Sequence, residues 1–156
     1  MELNIVLANN SNREVKTKKQ LEMLLKKYDL SKWIFQKSIQ INEKEIPHSH
    51  PVLTLNTVHL KNDNLLLSQF LHEQMHWFLS GKPKDIKNTA MEELGPLFPH
   101  LIINYLEYDA LRQLIGKNMT KEIINNKPRY IELYKMVIQQ EDKIREILEK
   151  YNILIL

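Results

Sequence analysis

The chain has 156 residues, 43% of them apolar, and 22 Lys+Arg stand against 19 Asp+Glu for a formal net charge of +3. That length and apolar content suit one domain, 1–156, with a real core. With no cysteine, disulfides, thiol catalysis, cysteine zinc fingers and iron–sulfur clusters are excluded, and a reducing compartment is suited.

The first residues, Met1-Glu2-Leu3-Asn4, lack the basic and apolar regions of a signal peptide. No uncharged apolar run approaches membrane-spanning length. The expectation is a cytoplasmic protein with no membrane contact. Lys16, Lys18, Lys19, Lys26 and Lys27 cluster, but they fit the solvated side of an amphipathic helix. No aromatic interleaving accompanies them, so no nucleic-acid partner is expected.

In chain order, Leu3 to Leu7 predicts a short strand and Asn9 to Asn12 a turn. Val15, Leu21, Leu24, Leu25 and Tyr28 recur near helical spacing and predict a first helix. Trp33 to Ile41 predicts a second strand, with Phe35, Ile39 and Ile41 on one face. Pro47 and Pro51 bracket His48-Ser49-His50, an exposed loop in which two alternating histidines could make a second metal site, although a plain solvent loop accounts for them more simply. Val52 to Val58 predicts a third strand, after which His59 simply follows. Leu65 to Leu79 predicts a helix, with N-caps offered by Asn62, Asp63 and Asn64 and a stop at Gly81. Lys82 to Glu93 is expected to be a surface loop. A further helix runs from about Pro96 or Pro99 to Ile115, ended by Gly116. Pro128 opens a last long helix whose Ile131, Tyr134, Val137, Ile138, Ile144 and Leu148 form the buried stripe. The apolar tail Ile153 to Leu156 is expected to dock on the body. The fold class is therefore α+β.

The chemistry centres on His72-Glu73-Gln74-Met75-His76, an H-E-x-x-H motif. Histidines at i and i+4 lie one above the other on a helix face, so both imidazoles can reach one Zn²⁺. Glu73 leaves the helix beside the metal and can take a proton from water there. The motif sits in a largely apolar helix, among Leu66, Phe70, Met75, Phe78 and Leu79, where ordinary histidines and a glutamate would each need separate partners. Trp77, next to the motif, is expected in the core.

A catalytic zinc takes a third protein ligand and a water. The helix after the loop carries His100, Asn104 and Glu107 at i, i+4 and i+7, a polar stripe on an apolar helix. His100 and Glu107 are about 10 Å apart along the axis, so one is the ligand and the other a neighbour. As ligand, His100 would give a three-histidine site; otherwise it could donate to an oxyanion. Among Tyr105, Tyr108, Tyr130 and Tyr134, each able to serve an oxyanion, nothing selects.

H-E-x-x-H followed by a later helix carrying E-x-x-A resembles the gluzincin metallopeptidases, especially small bacterial members of the ImmA/IrrE type. The matching residues are His72, Glu73, His76, Glu107 and Ala110, over 72–110, about a quarter of the chain. The resemblance implies a small zincin-like domain: a short N-terminal mixed sheet with helices, and the motif helix packed on a second ligand-bearing helix and a long C-terminal helix. It also implies Zn²⁺ as cofactor, a peptide or protein substrate, and Glu107 as third ligand in preference to His100, with Ala110 allowing close packing. Many such families place Asp four residues after the ligand glutamate; here that position is Leu111, leaving Asn104, Asp109 or a backbone carbonyl to orient a metal histidine. The expected function is peptide hydrolysis with Glu73 as general base, an extended substrate adding to the third strand. The alternatives are a non-catalytic zinc-binding interaction domain that retains the motif, a metal-independent binding module, or hydrolysis of something other than peptides.

Overall fold

The computed structural model describes residues 2–95 and 100–156. They form an α+β structure that divides into two compact units, Met1–Trp77 and Phe78–Leu156. No helix among the described residues is long and apolar enough to cross a membrane.

The first unit holds β1 (Asn4–Leu7), α1 (Asn12–Lys27), a 3₁₀ turn (Ser31–Trp33), β2 (Ser38–Ile41), β3 (Leu53–Leu55) and most of α2 (Asp63–Ser80). The sheet order is β1-β2-β3 and both pairings are parallel, from Asn4↔Ser38 to Leu7↔Ile41 and from Ile39↔Leu53 to Ile41↔Leu55. This corrects the expected mixed sheet. Parallel neighbours need a crossover; α1 supplies one, and residues 42–52 return the chain for the second without a helix. The only antiparallel pairing among the described residues is an isolated bridge, His48↔Thr54. The second and third strands are shorter than predicted, because Trp33 lies in the 3₁₀ turn and Phe35 lies ahead of β2.

The start of α1 is set by a capping box. Ser11 Oγ accepts from the Glu14 N–H at 3.2 Å, and Glu14 Oε1 accepts from the Ser11 N–H at 3.3 Å. Val15, expected in the buried stripe, is exposed. The stripe is instead Glu14, Thr17, Gln20, Leu21 and Leu24. The buried polar residues have work to do: Gln20 Nε2 donates to His59 O and to Asp63 Oδ1, both at 2.9 Å, fixing the start of α2. Lys16, Lys19, Lys26 and Lys27 lie on the exposed face, with Lys18 half-buried.

Glu14 also accepts from the Asn9 N–H, Asn9 Nδ2 and the Glu43 N–H, joining the β1–α1 turn to the residues after β2. Burial by itself would raise its carboxyl pKa, but the hydrogen bonds from Asn9, Glu43 and Ser11 outweigh it and hold the group below its ordinary value of 4.5. A folded pKa below the unfolded one means that the contribution is complete above about 4.5 and lost as pH falls through the folded pKa. Glu14→Gln is therefore expected to cost about 1–3 kcal/mol at neutral pH and to flatten the acid loss of stability. Thermal unfolding at neutral pH and at about pH 3.5 checks this; equal sensitivity to acid in both proteins would refute it.

The second unit holds α3 (Lys84–Leu94), α4 (His100–Ile115), α5 (Lys117–Asn125), α6 (Ile131–Gln139) and α7 (Glu141–Lys150). The segment expected to be a surface loop, Lys82 to Glu93, is mostly α3. Ile86, Ala90 and Leu94 repeat at four-residue spacing, but only Ala90 is fully buried, so the polar residues between them mask the pattern. The proposed start of the next helix at Pro96 or Pro99 lies outside the described residues; its end at Ile115 agrees, with Gly116 at φ 85° in the left-handed region. The long final helix is two helices. Gln140, at φ −117° and ψ 25°, closes α6 through its N–H to Met136 O and opens α7 by accepting from the Ile144 N–H. The break lets Tyr134 and Val137 on α6, and Ile144, Ile147 and Leu148 on α7, all be buried. In the tail, Ile153 and Leu154 are buried and Leu156 is exposed.

Candidate metal and hydrolytic site

In α2, Asn62 Oδ1 accepts from the Leu65 N–H at 3.0 Å, one of the expected caps. Leu66, Leu67, Phe70, Leu71 and Met75 are fully buried. His72 and Glu73 are 8% and 6% exposed, and His76 is half-buried. The two imidazoles sit edge to face with centroids 5.1 Å apart, as one-turn spacing demands. Two imidazoles thus leave one face of the helix a turn apart, with Glu73 following the first in the chain.

Three side chains around the motif hold α2 in place within the first unit. Gln69 Oε1 accepts from the Asn56 N–H, and its Nε2 donates to Asn56 Oδ1, both at 3.2 Å. Gln74, inside the motif and wholly buried, accepts from the N–H groups of Phe35 and Gln36 at 2.8 Å and donates to Gln36 O at 2.7 Å. Trp77 Nε1 donates to Ser49 O at 2.8 Å. A metal ligand needs a backbone that does not roll, and these bonds fix the rotation of α2 at residues 69, 74 and 77. Sequence reasoning passed over both glutamines, although two amides in an apolar helix were a signal that the backbone nearby wanted partners.

Trp77 is not the plain core residue expected. It is half-buried, and its ring stacks on His50 with centroids 4.1 Å apart. His50 Nδ1 lies 2.8 Å from Ser49 Oγ, and His48 Nε2 lies 2.8 Å from Glu45 Oε2. The His48–His50 loop is thereby fastened to the motif helix through Trp77. His59, after β3, contributes its carbonyl to Gln20.

β3 is the sheet edge, as the substrate-strand idea required. Its outward groups are already used. Thr54 exchanges both backbone bonds with His48, at 2.8 and 3.1 Å, and the Asn56 N–H is held by Gln69. A peptide adding along β3 would have to displace this chain's own loop, so the expectation of strand addition there is withdrawn.

In the second unit, every residue of α4 from Leu101 to Leu111 is buried, with Ala110 and Leu111 at zero exposure. His100, half-buried at the start of α4, stacks on Tyr130 with centroids 4.7 Å apart. Tyr130 is the left-handed residue, φ 66°, that precedes α6. Glu107 is completely buried. Its Oε1 accepts from Lys127 Nζ at 2.6 Å and its Oε2 accepts from the Tyr134 hydroxyl, which also accepts from Lys127 at 2.8 Å. The polar stripe of α4 therefore faces the segment from Lys127 to Tyr134. Asp109, a candidate to orient a metal histidine, is taken up by Arg112 at 2.6 Å, Gln113 at 2.9 Å and Arg145 at 3.7 Å. Tyr108 donates to Glu141 at 3.2 Å; burial, and then the Glu141 charge, push its phenol up to about 12, so it stays protonated.

No family model, no curated protein and no solved structure compared with this chain matches it.

Proposed function

We propose that this chain is a zinc-dependent hydrolase of peptide bonds, with Zn²⁺ held by His72, His76 and His100 and with Glu73 as general base. The observation that carries the reading is the histidine pair one turn apart on a helix pinned by Gln69, Gln74 and Trp77, with the buried Glu73 following the first histidine in the chain. His100 completes a three-histidine group suited to a metal ion, and three nitrogens leave a fourth position for water. His100 is preferred to Glu107 as third ligand because both Glu107 oxygens already accept bonds from Lys127 and Tyr134.

A zinc ion in such a set acidifies water and stabilises negative charge on a carbonyl oxygen. Glu73 takes the proton of the attacking water on its carboxylate and returns it to the leaving amine. Gln74 keeps both groups aligned by holding α2 to the backbone of residues 35–36.

Elemental analysis of purified protein tests the reading. Wild type is expected to hold about one zinc per chain. His76→Ala and His100→Ala should lose it, and Glu107→Ala should keep it. Wild type that takes up no supplied zinc refutes the proposal. Zinc retained in His100→Ala and lost in Glu107→Ala returns the third ligand to Glu107. Zinc without hydrolysis of any peptide favours the non-catalytic metal-binding alternative.

A further inference from the structure

We propose that β1 is a dimerisation strand, pairing antiparallel with β1 of a second copy of this chain so that Ile5 meets Ile5 on the two-fold axis. β1 is an edge of the sheet and is joined only to β2 among the described residues. The Asn4 N–H donates to Lys37 O and the Ala8 N–H to Ile41 O, so the main-chain groups of alternate residues 4, 6 and 8 face β2. Those of Leu3, Ile5 and Leu7 therefore point off the open edge. The two edges of the sheet are treated differently. β3 is closed by this chain's own loop, where Thr54 exchanges both backbone bonds with His48. β1 has none of the features that guard an edge. Residues 3–8 include no charge and no proline, and the register with β2 runs without a bulge from Asn4↔Ser38 to Leu7↔Ile41.

The occupant is a second copy because the strand is its own complement. The outward set 3, 5 and 7 is symmetric about residue 5. With Ile5 on the axis, Leu3 meets Leu7 of the second copy, Ile5 meets Ile5 and Leu7 meets Leu3. All three are hydrogen-bonded pairs, each exchanging both backbone bonds. Residues two apart share a face of the strand. The same pairing therefore sets the half-buried Leu3, Ile5 and Leu7 of each copy against those of the other, as cross-strand apolar pairs. On the opposite face the exposed Asn4 and Val6 meet each other, and Glu2 falls opposite Ala8, so no like charges oppose along the strand. The assembly also stops at two. A two-fold contact uses the same edge of both copies, and the β3 edges left at the two ends of the joined sheet already carry His48.

Sedimentation of the full chain between about 1 μM and 1 mM is the first test. One strand pair is at the small end of specific interfaces, so a reversible monomer–dimer equilibrium is expected within that range. The protein has no cysteine, so an introduced one reports the register. In a hydrogen-bonded antiparallel pair the Cα atoms are about 5.5 Å apart, within disulfide reach. Diagonal neighbours are about 7–8 Å apart, beyond it. Mild oxidation should therefore crosslink Ile5→Cys and leave Val6→Cys, diagonal to its own mate, uncrosslinked. Ile5→Pro removes an outward donor and no β1–β2 bond, so it should sediment as a monomer with the circular dichroism of wild type. Wild type that stays monomeric throughout, Val6→Cys that crosslinks as readily as Ile5→Cys, or folded Ile5→Pro that dimerises as wild type does overturns the proposal. If Ile5→Pro does not fold, the cysteine comparison decides. None of these residues belongs to the histidine group, so the outcome is independent of the zinc reading.

Discussion

Glu73→Gln is expected to lower peptide hydrolysis by about 10²–10⁴-fold and to leave zinc content and melting temperature unchanged. The amide is isosteric with the carboxylate, keeping one acceptor oxygen and replacing the other by a donor, so a residue only 6% exposed can be exchanged without a cavity. What the amide cannot do is accept a proton. His72 and His76 are untouched, and α2 stays held by Gln69, Gln74 and Trp77. The loss should therefore fall on kcat, with KM for the same peptide little moved. Single-turnover cleavage of a peptide that wild type hydrolyses, with zinc measured on the same samples, checks the assignment. Undiminished turnover by the variant would remove Glu73 from the chemistry, and loss of zinc would make it part of the metal's support instead.

Local signals in the sequence read out well where one residue type has one job. Ser11 and Glu14 at capping-box spacing open α1, Asn62 caps α2, and Gly116 ends α4 at a positive φ. Periodicity failed where burial is shallow or interrupted. In α3 only Ala90 is deeply buried, so polar residues hid the helix. The stripe from Ile131 to Leu148 reads as one helix because the turn at Gln140 scarcely disturbs the spacing on either side. Strand direction was not legible, because direction depends on how residues 42–52 cross over and not on the strands themselves. At the site, H-E-x-x-H announces the two histidines, but the partners of Glu107 lie far along the chain. Lys127 and Tyr134 follow Glu107 by 20 and 27 residues, with no spacing rule to connect them.

That buried pair carries the largest expected effect on stability. Glu107→Ala should cost about 3–5 kcal/mol, because Lys127 loses its carboxylate in a site from which water is largely excluded and Tyr134 loses its acceptor. Glu107 has zero exposure and the Lys127 side chain 19%, so solvent can repair little of the loss. Glu107→Gln keeps an acceptor for Tyr134 and should fall between the two. The double variant Glu107→Leu, Lys127→Met replaces a buried ion pair by apolar groups of similar volume, which is often neutral or stabilising, so it should recover much of the loss. Double-mutant analysis of denaturant unfolding measures that coupling. It also separates the two roles open to Glu107. As the ion-pair partner of Lys127, it can be replaced together with Lys127 and zinc stays bound. If it is the metal's third ligand, every Glu107 variant loses zinc, and restoring stability with Lys127→Met does not bring it back.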